Sequence, residues 1–236
     1  MRTGLALPPD STETFIREVD ENLRRDQAQA FAKTYGGWLI GAMILLLAGI
    51  GGYLYWQNRQ QEQAAVQGEE LSQIITDIGN GNVATAPARL DAMAAKGSEG
   101  YRASALLTRA ALAIQQRDMK LATAKYKEVA ADDDLAQPYR DLATIRATAL
   151  EFDALKPEEV VARLQPLAKP GNPWFGSAGE MTGMALLKQN RKAEAGRLFA
   201  QIAADKQVPE TIRSRAIQIA GSLGVDASAS LPASTL

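Results

Sequence analysis

The sequence predicts an all-α chain: one N-terminal transmembrane helix, then a stack of helical hairpins closed by a capping helix. Three observations carry this. Residues 35–56, YGGWLIGAMILLLAGIGGYLYW, form a run of twenty-two without a charge. Beyond them apolar residues recur at helical spacing between short breaks, and no stretch reads convincingly as a strand. Finally, a large apolar residue with a small or apolar one four positions before it returns as Ala86/Leu90, Ala122/Tyr126, Val160/Leu164 and Ala195/Phe199, at intervals of 36, 38 and 35 residues.

The elements follow in order. Residues 1–9 end in Pro8-Pro9 and carry no periodic pattern. From Ser11 to Thr34, Phe15, Val19 and Leu23 recur at spacing four, with Ile16, Ala30 and Phe31 nearby. Asp10 can cap such a helix, with Glu13 three residues on. Residues 1–34 thus read as a stub with an amphipathic helix. It either lies at a membrane surface and runs into the span, or docks on a partner.

The span, residues 35–56, reaches roughly 33 Å as a helix, enough for a hydrocarbon core of about 30 Å. Tyr35 and Trp38 mark one end, and Tyr53, Tyr55 and Trp56 the other, as expected of rings that favour membrane interfaces. A buried helix of a soluble protein would be shorter. A cleaved signal peptide would begin nearer Met1 and be followed by a small-residue cleavage pattern. Gly37, Gly41, Ala48 and Gly52 fall on one stripe about 60° wide. Such a stripe lets another helix approach closely, although Gly-rich spans also produce one by chance. Arg17, Arg24, Arg25 and Lys33 flank the span on its N-terminal side, against Arg59 alone on the other before Arg89. That asymmetry places the N-terminus in the cytoplasm and residues 57–223 on the far side, which in a bacterium is the periplasm.

Helical character continues past the span through Ala64, Leu71, Ile75 and Ile78, until Gly79-Asn80-Gly81-Asn82 breaks it. Helices are then expected near 83–95, 99–116, 118–131, 137–154, 157–168, 173–189, 191–205 and 208–222, paired by short breaks. The period matches a helix–turn–helix unit of about 34 residues of the tetratricopeptide kind, in which alanine at a crossing lets helices pack closely and a larger residue fills the gap to the next pair. Ala122, Tyr126, Leu164, Gly183, Ala195 and Phe199 are the expected repeat core. The fourth unit fits best and the third worst, with Val160 where alanine is expected. An ordinary helical bundle with accidental spacing is the alternative. The last helix, with Ile212, Ala216 and Ile219 on one side, would cap the array, and residues 224–236 read as a disordered tail.

At this point the chain resembles the YfgM-like family over roughly residues 11–222. The more specific pieces are YRASALLTRA, Tyr101 to Ala110, and the stretch from Trp174 through GEMTGMALLKQNRKAEAGRLFAQIAAD. The resemblance implies a periplasmic tetratricopeptide-like domain. It also implies partners: the SecYEG translocon and a membrane-tethered periplasmic chaperone, beside newly exported proteins. The stub is longer than that family leads one to expect.

Composition excludes several functions. Of 26 Lys and Arg, five lie in residues 1–34; of 27 Asp and Glu, six do. The remainder is balanced, which argues against a broad nucleic-acid surface. Neither cysteine nor histidine occurs. Disulfides, thiolate zinc sites and cysteine nucleophiles are excluded, and the commonest general base is missing. Asp132-Asp133-Asp134 lacks the alternating ligands and turn glycine of a calcium loop and reads as a solvated turn. Gly79 to Asn82 is no phosphate loop, and no Ser-x-x-Lys pattern stands out.

No enzyme and no cofactor are therefore expected, and what remains is a surface for binding. In the repeat register, Leu107, Ala111, Ile145, Ala149 and Met184 point toward a concave apolar face suited to unfolded exported chains. A register error of one residue would make them core instead. Two readings stay open: a membrane-anchored adaptor at the translocon, and a structural scaffold for cell-division or envelope-assembly complexes.

Overall fold

The computed structural model describes residues 11–227, apart from the side chains of residues 11–24, 26–29 and 32. Among the described residues the chain is all-helical: α1 (Ser11–Gly79), α2 (Ala86–Lys96), α3 (Glu99–Gln115), α4 (Met119–Ala131), α5 (Gln137–Glu151), α6 (Pro157–Leu164), α7 (Phe175–Lys188), α8 (Lys192–Ala204) and α9 (Glu210–Ser222). It divides into two compact units between Gln63 and Ala64.

In the first unit only α1 is described. Among the described residues it is the one helix long and apolar enough to cross a membrane, within Lys33–Gly79, and none of its apolar window is buried. Trp38 is 82% exposed and Leu45 75%. Phe31 and Tyr35 rings lie 5.0 Å apart, and Tyr53 and Trp56 rings 6.5 Å. An apolar surface this long and uncovered needs lipid or a partner. Residues 11–34 are helical as expected, but the Phe15, Val19 and Leu23 side chains lie outside the described residues.

In the second unit each helix packs on the next, with further contacts of α5 on α7 and α7 on α9. Three hairpins turn in the same way. The first helix ends, one residue takes a left-handed conformation, and the following N–H donates to the carbonyl five residues back. Gly81 (φ 83°), Arg117 (φ 62°) and Asn190 (φ 60°) occupy the left-handed position. Asn82, Asp118 and Arg191 donate to the carbonyls of Asp77, Ala113 and Leu186 at 2.8, 2.8 and 2.9 Å. This is the Schellman closure, which satisfies carbonyls that a helix end leaves orphaned. Asp118 then caps α4, accepting from the Leu121 N–H at 2.9 Å.

The third hairpin departs from this. After Glu151 the chain makes tighter turns, with Ala154 and Leu155 N–H groups both 2.9 Å from the Glu151 carbonyl. Pro157 opens α6 at its first position, where its missing N–H costs nothing. Helix α6 stops at Leu164 rather than 168: Gln165 keeps helical φ and ψ, but Pro166 has no N–H to donate to the Ala162 carbonyl. Likewise α2 begins at Ala86 rather than 83, with Pro87 in its first turn.

The expected repeat core is buried throughout. Ala122, Leu164, Ala195 and Phe199 are 0% exposed and Tyr126 6%, and Gly183 is buried. At Gly183 a Cβ would lie 2.6 Å from Phe199 Cε2. The bare backbone of α7 therefore sits directly on the ring from α8. Gly176 and Gly179 make the same kind of close approach to Val208 and Ile202. Val160 is 1% exposed, in a cluster with Ile145, Leu164, Leu167, Ala178 and Ala185.

At the C-terminal end α9 packs on α7 and α8. The chain then turns at Gly224 (φ 79°), and Val225 donates to the Ala220 carbonyl at 2.9 Å. A Cβ at Gly196 would lie 2.8 Å from Val225 Cγ2, and Ala227 is 7% exposed in the cluster that holds Phe199. The beginning of the tail expected from residue 224 is thus laid onto the stack as a strap, because an apolar residue at 225 covers a glycine. Residues 228–236 lie outside the described residues.

Candidate functional site

The first helices of hairpins two, three and four are α3, α5 and α7. Equivalent positions along them are separated by the 38 and 35 residues that separate Tyr126, Leu164 and Phe199. Ala111, Ala149 and Met184 share one such position, and all three are exposed, Met184 at 41%. Leu107 and Ile145 share another, one turn earlier, and this one is closed. Leu107 packs half-buried on the Ala103 to Ala147 cluster. Ile145 is 6% exposed and belongs to the core around Val160 and Leu164. Ile145 is therefore corrected from binding face to core. The physical reason is that one helical turn (four residues, roughly 40° beyond a full turn) carries it from the outer side of α5 onto α6 and α7.

The open position continues through residues that the sequence reading did not single out. Arg146, on α5 between Leu142 and Ala149, is exposed, and its charge works on Tyr126. Burial raises the Tyr126 phenol above its ordinary value, and the nearby Arg146 guanidinium partly opposes this. Thr108 and Met181 stand at the equivalent places on α3 and α7 and are half-buried, Met181 against the core around Val160 and Leu164. The face is small, mostly uncharged and open. It offers contact area rather than reactive groups, and apolar area removed from water contributes about 25 cal/mol per Å². Arg146 escaped notice because it interrupts an apolar stripe that was read by its hydrophobic members.

A second feature lies at α4, α5 and α6. Glu151 accepts from Lys127 at 2.6 Å and from Arg163 at 2.9 Å, tying three helices together. Burial works against the charge on Glu151, but the bonds from Lys127 and Arg163 outweigh it and hold the carboxyl below its ordinary value. Beside them is a cleft of about 300 Å³ lined by Lys127, Arg163, Ala130, Ala131, Thr144, Ala147 and Thr148. Members 24 and 12 residues apart give no local signal in the sequence.

The aspartate run is engaged in ion pairs. Arg102 pairs with Asp132 at 3.1 Å and approaches Asp134 at 3.9 Å. Arg140 pairs with Asp133, and the Asp134 N–H donates back to Asp132 at 3.0 Å. Among the described residues no group of three or more acidic side chains is placed to hold a metal ion. In the span, a Cβ at Gly37, Gly41 or Gly52 would meet nothing within 4 Å, and Ala48 is exposed, so the stripe is uncovered.

Comparison with known proteins agrees with this geometry. No curated protein and no solved structure matches the chain. One family model, described as a tetratricopeptide repeat-like domain, matches residues 29–220. That match covers most of the chain, and the buried 35- to 38-residue pattern and the hairpins that carry it lie within its bounds. The chain belongs to the tetratricopeptide repeat-like domain family, whose stacked hairpins serve in general as scaffolds for binding other proteins.

Proposed function

We propose that the chain is a membrane-anchored adaptor at the SecYEG translocon. It crosses a bacterial inner membrane once, keeps residues 1–34 in the cytoplasm, and holds its hairpin stack in the periplasm. There it meets newly exported, unfolded chains and passes them to a membrane-tethered periplasmic chaperone, by protein–protein binding without catalysis.

The observation that carries this reading is the joining, in one chain, of an uncovered apolar helix to a hairpin stack with an open, nearly uncharged face at Ala111, Ala149 and Met184. The four-to-one excess of flanking basic residues supports the orientation. The YfgM-like stretches at Tyr101–Ala110 and after Trp174 support the translocon as the partner. The stripe of Gly37, Gly41, Ala48 and Gly52 supports a helix–helix contact within the membrane.

In vivo photo-crosslinking from the span and from residues 57–79 tests it. Translocon subunits and the chaperone are expected among the products. Recovery of division or envelope-assembly proteins without any translocon subunit would replace this reading with that of a structural scaffold. A reporter fused after Leu236 should be active only in the periplasm, and activity confined to the cytoplasm would reverse the orientation. Leucine at Gly37, Gly41, Ala48 and Gly52 should cost association without costing insertion. Glutamate at Ala111, Ala149 and Met184 should reduce crosslinking to exported chains and leave stability within about 0.5 kcal/mol, as exposed sites usually do.

A further inference from the structure

We infer that the cleft between α4, α5 and α6 is a second docking site, taking an acidic side chain presented by a segment of a partner protein. On α5, Thr144 and Thr148 of the cleft lie roughly 150° round from Arg146 and Ala149, at about 100° per residue. The cleft therefore faces away from the open position described above, and its occupancy is independent of the proposed function.

Three observations carry the inference. The two charged residues of the cleft wall, Lys127 and Arg163, are both basic. They share a single carboxylate, Glu151, through one hydrogen bond each. A lysine has three N–H donors and an arginine five, so most of theirs remain for another acceptor. Both side chains keep contact with solvent, Lys127 at 50% and Arg163 at 36% exposure. Between them buried Ala147 forms the floor, with half-buried Ala130 and exposed Ala131 along the side. The Thr148 hydroxyl donates to the Thr144 carbonyl at 2.7 Å and the Thr144 hydroxyl to that of Arg140 at 2.8 Å. An apolar floor under a doubly basic rim accepts a short stem ending in a carboxylate.

The chemistry favours a protein segment over a lipid surface. Recruitment to anionic lipid takes clusters of about four to eight basic residues. Here there are two, already shared with an acid. Helix α6 is only 8 residues long where α4 and α8 have 13, and Arg163 of the cleft lies in its last turn.

Methyl NMR of the full-length chain in detergent, with isotope-labelled alanine methyls, tests the site. The probe is the peptide acetyl-Ala-Ala-Glu-Ala-Ala-amide, with its glutamine counterpart as control. Shifts at Ala130, Ala131 and Ala147 are expected with the glutamate peptide alone. Glu151→Gln removes the internal competitor and should tighten binding about tenfold. Lys127→Gln with Arg163→Gln should abolish it. Equal shifts from both peptides overturn the proposal. So does a Glu151→Gln variant that loses stability while binding no better, since the cluster would then be purely structural. Equal shifts with inorganic phosphate, shifts with anionic bicelles alone, or shifts that follow protein concentration without peptide would assign the cleft to a free anion, a membrane or a second copy, and each overturns it.

Discussion

The third and fourth hairpins meet the same packing problem with different chemistry. In the fourth, glycines at 176, 179 and 183 bring the α7 backbone onto Val208, Ile202 and Phe199, and the turn uses the left-handed residue found in hairpins one and two. In the third, α6 is short, valine replaces alanine at 160, and the turn is of another kind. Its helices are joined across their edge by Glu151, which reaches α4 through Lys127 and α6 through Arg163. Where shape fits, backbones touch; where it does not, an ion pair spans the gap. In the first arrangement the glycine contacts carry no titratable group and are intolerant of added volume. The second leaves an opening and depends on charge.

Substitutions can break this contrast or sharpen it. The largest effect is expected from Phe199→Ala, a fully buried ring, at about 3–5 kcal/mol in denaturant unfolding. Gly183→Ala should cost about 1–3 kcal/mol, because the ring it meets is enclosed and cannot step aside. A loss well under that range would show that the fourth hairpin is looser than its distances imply. Val160→Ala restores the family pattern, yet should still destabilise by about 1–2 kcal/mol, since the third hairpin has packed around the larger side chain. A gain in melting temperature would mean that valine is strained there.

The charge on Glu151 should show itself in acid. Its folded carboxyl titrates below the ordinary glutamate value of 4.5. Its contribution is therefore complete above that value and disappears as pH falls through the lowered one. The melting temperature of the natural chain should exceed that of Glu151→Gln at neutral pH and converge with it in acid. A gap that persists there would remove charge from the explanation. The smallest expected effect is a stabilisation of about 0.5–1 kcal/mol from Arg117→Gly, which relieves a left-handed arginine.

Much of the stack was legible in the sequence, because its period and its buried face reinforce each other. Six expected core positions, from Ala122 to Phe199, are buried. Helix limits failed where proline decided them, at Pro87 and Pro166. The turn at Arg117 was silent, since arginine gives no sign of a left-handed conformation, whereas Gly81 does. The candidate binding face was half legible. Ala111, Ala149 and Met184 are open, but Ile145 is core, because periodicity finds an apolar stripe without saying which edge of it meets solvent. The Lys127–Glu151–Arg163 cluster is assembled by folding from three helices, and nothing local foretells it.

Two polar contacts have a further meaning. The Ser98 N–H before α3 donates to Gln67 of α1 at 3.0 Å, and the Ala136 N–H before α5 donates to Glu99 of α3 at 2.7 Å. Neither Ser98 nor Ala136 makes a side-chain cap of its own. Each helix start is instead completed by the opening helix of the preceding hairpin. A chain is made from its N-terminus, so the second and third hairpins each meet an acceptor that is already in place. The ties run in the direction of synthesis, and the array can grow like a zip closed from one end.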